Sequence, residues 1–322
     1  MCFIVTGGAG FIGSCIVRSL NDRGIFDIVI VDDAISGEKH TNLSNKHYLR
    51  YVHKDDLFKE FAGISDVKAV IHMGACSSTT ENDIDYLRKN NFEFTKKLWG
   101  YCADKNIPMI YASSAATYGD GSRGFDDRED IDDLKPLNPY GHSKHEFDKW
   151  VKHQADRFPS QHVGLKFFNV YGPNEYDKGS MASMVFHGYR QISKTGKIRL
   201  FKSYVKDIPD GEQKRDFVYV KDVCDVIMWF LDHPDVNGLY NVGTGTARSF
   251  NELAKAVFDA MDTEPVIEYT DMPVGLRGRY QYYTCAGIDK LRNAGYTGSF
   301  SDIRQGVYDY VKNYLSKGYE VY

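Results

Sequence analysis

The chain has no apolar run near the 18 or so residues that a membrane-spanning helix needs, and no basic stretch, apolar run and cleavage site ahead of its first strand. It therefore reads as a soluble protein, with the cytoplasm as the expected compartment. An excess of charge of either sign is lacking as well. A formal net charge of −4 over 322 residues gives no general attraction to nucleic acid or to an anionic membrane, so any anionic ligand must be held by local donors. Paired cysteines are missing: Cys2, Cys15, Cys76, Cys102, Cys224 and Cys285 are scattered, with no C-x-x-C spacing, and read as reduced, mostly buried thiols. There is no internal repeat, low-complexity segment or flexible linker. A hydrophobic content of 42% supports one ordinary buried core, in a single large domain or a domain with an appended lobe.

What is present begins at once. Phe3, Ile4 and Val5 read as a short buried strand, and Thr6-Gly7-Gly8-Ala9-Gly10-Phe11-Ile12-Gly13 turns directly into an amphipathic helix. Glycines 8, 10 and 13 fit G-x-G-x-x-G: the first permits a tight turn, the second lets a pyrophosphate approach bare backbone, and the third lets helix and strand pack closely. The helix start then offers unpaired N–H groups to an anion. Val29-Ile30-Val31-Asp32 supplies a second strand ending in an acid about 20 residues on, where a ribose-binding carboxylate belongs.

Further strands are expected at Val67 to His72, Ile107 to Ala112 and Val163 to Phe168, separated by helical patterns over Asp83 to Lys105 and Tyr140 to Arg157. This alternation predicts an α/β fold, a Rossmann-type doubly wound parallel sheet with helices on both faces. After Tyr171-Gly172-Pro173 the chain becomes more irregular, Gly-rich and charged, which suggests a smaller C-terminal substrate-binding lobe over the carboxyl ends of the strands. The expected division is 1–170 for the dinucleotide-binding domain and 171–322 mainly for the lobe. Arg215 to Val226 and Gly238 to Thr244 read as strands and turns returning to the main body, over about 215–245.

Tyr140-Gly-His-Ser-Lys144 has the Y-x-x-x-K spacing, which on a helix sets tyrosine and lysine on one face, a turn apart. An ammonium beside a phenol favours phenolate and is expected to lower the phenol from its reference near 10, making a general base. Such a base is needed because removing hydride from a secondary alcohol also requires removing its hydroxyl proton. Tyr111-Ala112-Ser113-Ser114 ends a strand, and Ser114 is the natural third member, donating to the reacting oxygen.

Together these features resemble the extended short-chain dehydrogenase/reductase superfamily, whose members act on nucleotide sugars, and the resemblance covers nearly the whole chain. His72-Met-Gly-Ala-Cys-Ser-Ser-Thr-Thr80, Ser113-Ser-Ala-Ala-Thr-Tyr-Gly119, Phe168-Asn-Val-Tyr-Gly-Pro173, Lys178-Gly-Ser-Met-Ala-Ser183 and Arg215-Asp-Phe-Val-Tyr-Val220 are similar, within it, to the epimerases of ADP-heptoses. The resemblance implies inversion at C6 of the heptose by transient oxidation and hydride return, in making the lipopolysaccharide inner-core precursor. It implies Tyr140 and Lys178 as two acid/base residues, supported by Lys144 and Ser114. Without it, Lys178 in Tyr176-Asp-Lys-Gly would read as a solvated loop charge. It further implies cofactor contacts at Gly7, Gly10, Phe11, Ile12, Gly13, Asp32, Asp33, Lys39, Lys54, Met73, Gly74, Ala75, Cys76, Ser77, Asn90, Lys144, Val170 and Lys178. Substrate contacts are implied at Ser114, Asn169, Ser180, His187, Phe201, Tyr204, Arg215 and Tyr280, with Arg215 a sensible diphosphate clamp because guanidinium pairs bidentately with phosphate. His187, with no clustered Cys or carboxylate, is not a metal candidate, and no metal site is expected. The expected partners are a small-molecule nucleotide sugar and further copies of the chain, a homopentamer by resemblance, with no nucleic acid or membrane.

This chain departs from the family at Met73, where Glu is the rule, and in the longer, more acidic loop from Ser203 to Lys214, with Asp207, Asp210 and Glu212. On cofactor choice, residues and resemblance pull apart. Asp32 at a strand end normally accepts from the ribose 2′-hydroxyl and repels a 2′-phosphate, as does Asp33, which predicts NAD. The family uses NADP, with lysines at the positions of Lys39 and Lys54, and two cations can offset the carboxylates. The expectation is tightly bound NADP, with NAD as the alternative. A 4,6-dehydratase would need an Asp-Glu pair where Ala115-Ala116-Thr117 stands. A 4-epimerase stays open on the generic motifs, and a non-catalytic dinucleotide-sensing regulator is the remote reading from another class.

Overall fold

Successive residues of an extended strand face opposite sides of a sheet. The first strand, β1 (Cys2–Thr6), is apolar on both sides: Phe3 and Val5 pack into one hydrophobic cluster, Cys2 and Ile4 into another. A strand buried on both faces belongs at the centre of a parallel sheet covered by helices. The computed structural model describes residues 1–33, 41–154, 157–158, 160–278 and 280–322. In it β1 is the third of seven strands from one edge. With β2 (Ile28–Asp32), β3 (Arg50–His53), β4 (Val67–His72), β5 (Met109–Ser114), β6 (His162–Phe167) and the strand Gly238–Val242, the order runs Gly238–Val242, β6, β5, β4, β1, β2, β3, all parallel. The doubly wound expectation holds.

Helix α1 (Phe11–Asp22) leaves the glycine turn and buries Cys15, Ile16, Val17 and Leu20 against one face of the sheet. On the other face lies a continuous helical run of Ile84–Leu87, a π-helical segment Arg88–Glu93 and Phe94–Lys105. Asp83 caps it, its side chain accepting from Tyr86 N–H at 2.9 Å. The Tyr140 helix is Pro139–Lys152, ending earlier than the pattern to Arg157 suggests. Expected strand Ile107 to Ala112 is observed two residues later, as Met109–Ser114, because Ile107 N–H turns back to the Cys102 carbonyl at 2.9 Å and Pro108 has no N–H for the ladder.

One stretch differs in type. Arg215 to Val226 was expected as strand and turn, yet only Lys214–Arg215 and Phe217–Tyr219 are extended and Val220–Asp232 is helical. Buried Val220, Val223, Cys224, Ile227 and Phe230 recur at three- and four-residue spacing, so helical period outweighs the β-branched composition. Beyond the sheet, Ile198–Phe201 pairs in parallel with Ile267–Thr270, helices Met184–Thr195 and Phe250–Ala260 pack on that ribbon, and Ile303–Asn313 packs against Phe250–Ala260. All six cysteines are free, with Cys76 and Cys285 half-buried and the others buried. No helix among the described residues is long and apolar enough to cross a membrane.

Candidate active site

The turn between β1 and α1 has no room for a side chain at Gly7, Gly8 or Gly13. Gly7 has φ of +65°, and a Cβ there would lie 2.6 Å from Gly74 N; a Cβ on Gly13 would lie 2.0 Å from the Gly7 carbonyl oxygen. The turn is thus pressed against its own helix and against the loop after β4. Thr6 Oγ1 accepts from Gly74 N–H at 3.2 Å and sits 2.6 Å from His72 Nδ1, whose Nε2 lies 2.9 Å from Thr95 Oγ1. Burial, with the nearby Lys144 charge, holds that imidazole down to about 3, so it is a neutral strut. Asp32 caps the same turn from β2, accepting from Ala9 N–H at 3.0 Å and from Asp33 N–H at 2.9 Å.

A cleft of about 880 Å³ opens over the carboxyl ends of these strands. Gly7, Gly10, Phe11, Ile12, Gly13, Asp32, Asp33, Lys54, Met73, Gly74, Ala75, Cys76, Ser77, Asn90, Lys144, Val170 and Lys178 all line it, so the expected cofactor residues converge. Lys39 lies outside the described residues. The crowded glycine turn, the helix start beside it and the acid on β2 fit a dinucleotide. Lys54 is paired with Asp55, Nζ to Oδ1 3.1 Å.

Tyr140 enters the cleft from the first turn of Pro139–Lys152, which Asn138 caps by accepting from Gly141 N–H at 2.7 Å. Its phenol is buried. Desolvation raises it above its ordinary value, while a hydrogen bond with Ser114 pulls the other way. This corrects the expectation of a depressed phenol. Lys144, one turn on, donates from Nζ to the Ala112 carbonyl at 2.9 Å, and burial brings its ammonium down to about 8 against the pull of Asp148. Asp148 is itself buried, takes the Ser113 hydroxyl at 2.5 Å, and is pushed up to about 6 by desolvation. Ser114 accepts from Ala116 N–H at 3.1 Å, which orients its hydroxyl at the strand end.

Lys178 reaches the same cleft from the loop after Asn169–Tyr171, with Nζ 5.6 Å from the centre of the Phe11 ring. Burial lowers its pKa and the charge of Glu175 opposes that. A lysine shifted this way carries more neutral amine near pH 7, as a base requires.

At the far end Arg215 is buried on Lys214–Arg215, its guanidinium carbon 5.0 Å from the Tyr280 ring and 5.8 Å from that of Phe250. Arg215, Tyr280, Ser114 and Asn169 line the cleft. Ser180, His187, Phe201 and Tyr204 are not among the residues lining it. Phe201 stands edge-on to Tyr280, ring centres 6.5 Å apart, and Tyr204 is held under Arg277 at 3.9 Å while donating to Asp271 at 3.0 Å. The acidic loop is tied within itself and to a helix: Asp210 takes the Ser203 N–H at 2.7 Å, and Glu212 takes the side chain of Asn251, on Phe250–Ala260, at 2.7 Å.

Sequence reasoning missed His72, Thr95, Asn42 and Asn91. Buried Asn91 donates to the Cys76 carbonyl at 3.0 Å and accepts the Cys76 N–H at 2.8 Å, fixing the loop at 74–77, and also donates to Ser143 at 2.9 Å. It projects from the π-helical segment, which no residue pattern announces. Asn42 donates to the carbonyls of Ala9 at 3.1 Å and Asn174 at 3.2 Å, joining the glycine turn to the Lys178 loop.

Residues 3–243 match the family described as NAD dependent epimerase/dehydratase. The chain is 51% identical over 327 residues to the ADP-L-glycero-D-manno-heptose-6-epimerase of Fusobacterium nucleatum, covering 98% of each. Among solved structures, it is similar to the Helicobacter pylori ADP-L-glycero-D-manno-heptose-6-epimerase at TM-score 0.80 and 26% identity, covering 97% of this chain and 95% of that one. It is also similar to the UDP-N-acetylglucosamine 4-epimerase of Methanobrevibacter ruminantium, at TM-score 0.82 and 26% identity over 98% of each chain.

Proposed function

Because this chain belongs to the NAD dependent epimerase/dehydratase family, we propose that it inverts C6 of the heptose in ADP-D-glycero-D-manno-heptose to give the L-glycero epimer. The full-length 51% identity to an enzyme of that name carries the reading. Two proton-transfer side chains from separate elements, Tyr140 and Lys178, on the walls of one cleft supply its chemistry. The 4-epimerase alternative has the structural likeness to the Methanobrevibacter enzyme behind it, and a nucleotide-sugar substrate panel distinguishes the two.

A nicotinamide dinucleotide held by the glycine turn and Asp32 would supply hydride transfer at C6 in both directions, which would keep the reaction redox neutral. The protein's part is proton management and grip. One of Tyr140 and Lys178 removes the O6 proton as the C6–H bond breaks, and the other delivers a proton to O6 once the planar carbonyl has turned its other face. C6 is exocyclic, so rotation about C5–C6 suffices while Arg215 holds the diphosphate. Ser114 donates to the reacting oxygen, where charge develops. Lys144 stands one turn behind Tyr140, held by the Ala112 carbonyl, and the group that works against the burial of the phenol is the Ser114 hydroxyl bonded to it. A homo-oligomer serving lipopolysaccharide inner-core synthesis is the physiological setting this reading carries.

Substrate deuterated at C6 should keep its label at C6 in the product during a single turnover. Deuterium released to solvent would sink direct hydride return and favour carbanion chemistry.

For the cofactor we propose NADP. Lys54 lies on the cleft wall with Asp32 and Asp33 and can offset them if it leaves Asp55 for a 2′-phosphate. Replacing Lys54 with Glu should then weaken NADP by about tenfold more than NAD, the worth of one charge-assisted contact. Calorimetric titration with both dinucleotides tests this, and equal weakening would show that Lys54 does not read the phosphate.

A further inference from the structure

Lys178 stands inside a stretch of loop whose two ends are tied together by one carboxylate. Glu175 is 1% exposed. Its Oε1 accepts from Gly172 N–H at 3.2 Å and from the Ser183 hydroxyl at 2.7 Å, and its Oε2 accepts from Ser183 N–H at 2.5 Å. Ser183 in turn caps Met184–Thr195, its Oγ accepting from Phe186 N–H at 3.2 Å. Gly172 and Ser183 are thus clamped from beneath, and the loop between them bulges toward the cleft. Within it Lys178 N–H donates to the Glu175 carbonyl at 3.1 Å and Met181 N–H to the Lys178 carbonyl at 2.9 Å, so the backbone carrying the amine is fixed on both sides. Asn174, at φ of +74°, fastens the loop to α1 by donating to Ser14 Oγ at 2.9 Å.

The carboxylate also carries charge. Of the groups that interact electrostatically with Glu175, Cys15, Tyr176 and Tyr310 are all raised by burial and stay neutral, while Lys178 is the cation it acts on. Burial raises the Glu175 carboxyl above its ordinary value, while the hydrogen bonds from Ser183 and Gly172 and the Lys178 charge pull it back toward the ionised form, and that form in turn favours the ammonium of half-buried Lys178.

We infer that Glu175 is the positioning residue for Lys178, clamping the loop that presents the amine and supplying the negative charge that faces it. The inference rests on the two-base reading above. Glu175 is not among the residues lining the cleft, and its part is played through Lys178.

The test is the pH dependence of kcat in the full-length enzyme. One limb should be missing from the residual activity of Lys178→Met, which assigns it to that amine. In Glu175→Gln the same limb should move toward acid by about one pH unit, roughly tenfold in rate on the slope, because the lysine loses its facing charge. The pH-independent plateau of kcat should fall, with KM little changed, because the loop that places the amine is loosened, and Glu175→Asp, which restores the charge, should bring the limb back. A Glu175→Gln profile that overlays the wild type overturns the inference, as does an Asp variant displaced as far as Gln. If Glu175→Gln does not fold, Ser183→Ala serves: it strips one donor from the carboxylate, favours its protonated form, and should move the limb the same way by less. An unmoved limb there overturns the inference too. Full activity in Lys178→Met would instead dispose of the two-base reading itself.

Discussion

Lys178→Met and Tyr140→Phe should each slow epimerisation by about 10²- to 10⁴-fold, the usual worth of a positioned general acid or base. Dinucleotide affinity should change little, because the glycine turn, Asp32 and the loop at 74–77 remain. Methionine keeps the length and apolar packing of lysine against Phe11 and removes only the amine. Phenylalanine keeps the buried ring of Tyr140 and removes the hydroxyl that Ser114 meets. Turnover by stopped assay and affinity by titration separate chemistry from binding. Wild-type turnover in Lys178→Met would leave Tyr140 as the sole proton-transfer group.

Gly13→Ala should destabilise the protein by roughly 3 kcal/mol or more, the upper end for overpacking, and abolish dinucleotide binding. The new Cβ would stand 2.0 Å from the Gly7 carbonyl oxygen and 2.9 Å from Gly8 Cα, all main chain, so nothing flexible can yield. Opening the turn to make room also dismantles the phosphate cradle. Gly100→Ala is the matched control: it lies in Phe94–Lys105, an added Cβ meets nothing within 4 Å, and the change should stabilise by about 0.5–1 kcal/mol through helix entropy. Thermal unfolding of the two variants should therefore shift in opposite directions, and a wild-type midpoint for Gly13→Ala would show that the turn relaxes freely.

Local chemistry was legible where one short segment carries the whole signal. The glycine turn, β4 at Val67–His72 and the Tyr140–Lys144 spacing each depend on neighbours within a helical turn or a strand length, so the residues announce them. Strand β3 was not seen, because Arg50–His53 shows no apolar alternation and owes its pairing to β2. Lys178 reads from its own surroundings as a loop charge. Its surroundings come from distant chain: the Phe11 ring of α1 beside its amine, and Ser14 and Asn42, which hold Asn174 of its loop. The upward shift of Tyr140 escaped for the same reason, since spacing places Lys144 near the phenol but says nothing of how deeply both are buried. Among the substrate residues, Ser180, His187, Phe201 and Tyr204 came through resemblance, and side-chain partners such as Asp271 and Arg277, which decide where Tyr204 sits, lie far along the sequence.

The seventh strand of the sheet has a consequence for how the molecule is made. Gly238–Val242 lies beside β6, yet the chain leaves β6 at Phe167 and lays down Met184–Thr195, Ile198–Phe201 and Val220–Asp232 before it returns. On the ribosome the nucleotide-binding half therefore emerges with β6 as a bare edge, its buried apolar residues Val163, Leu165 and Phe167 and a row of unpaired backbone groups waiting for a partner still to be synthesised. Cutting the gene after Tyr171 would make that interval permanent. Such a fragment should associate with itself through the open edge, so the two halves have to be inherited, expressed and engineered as one piece.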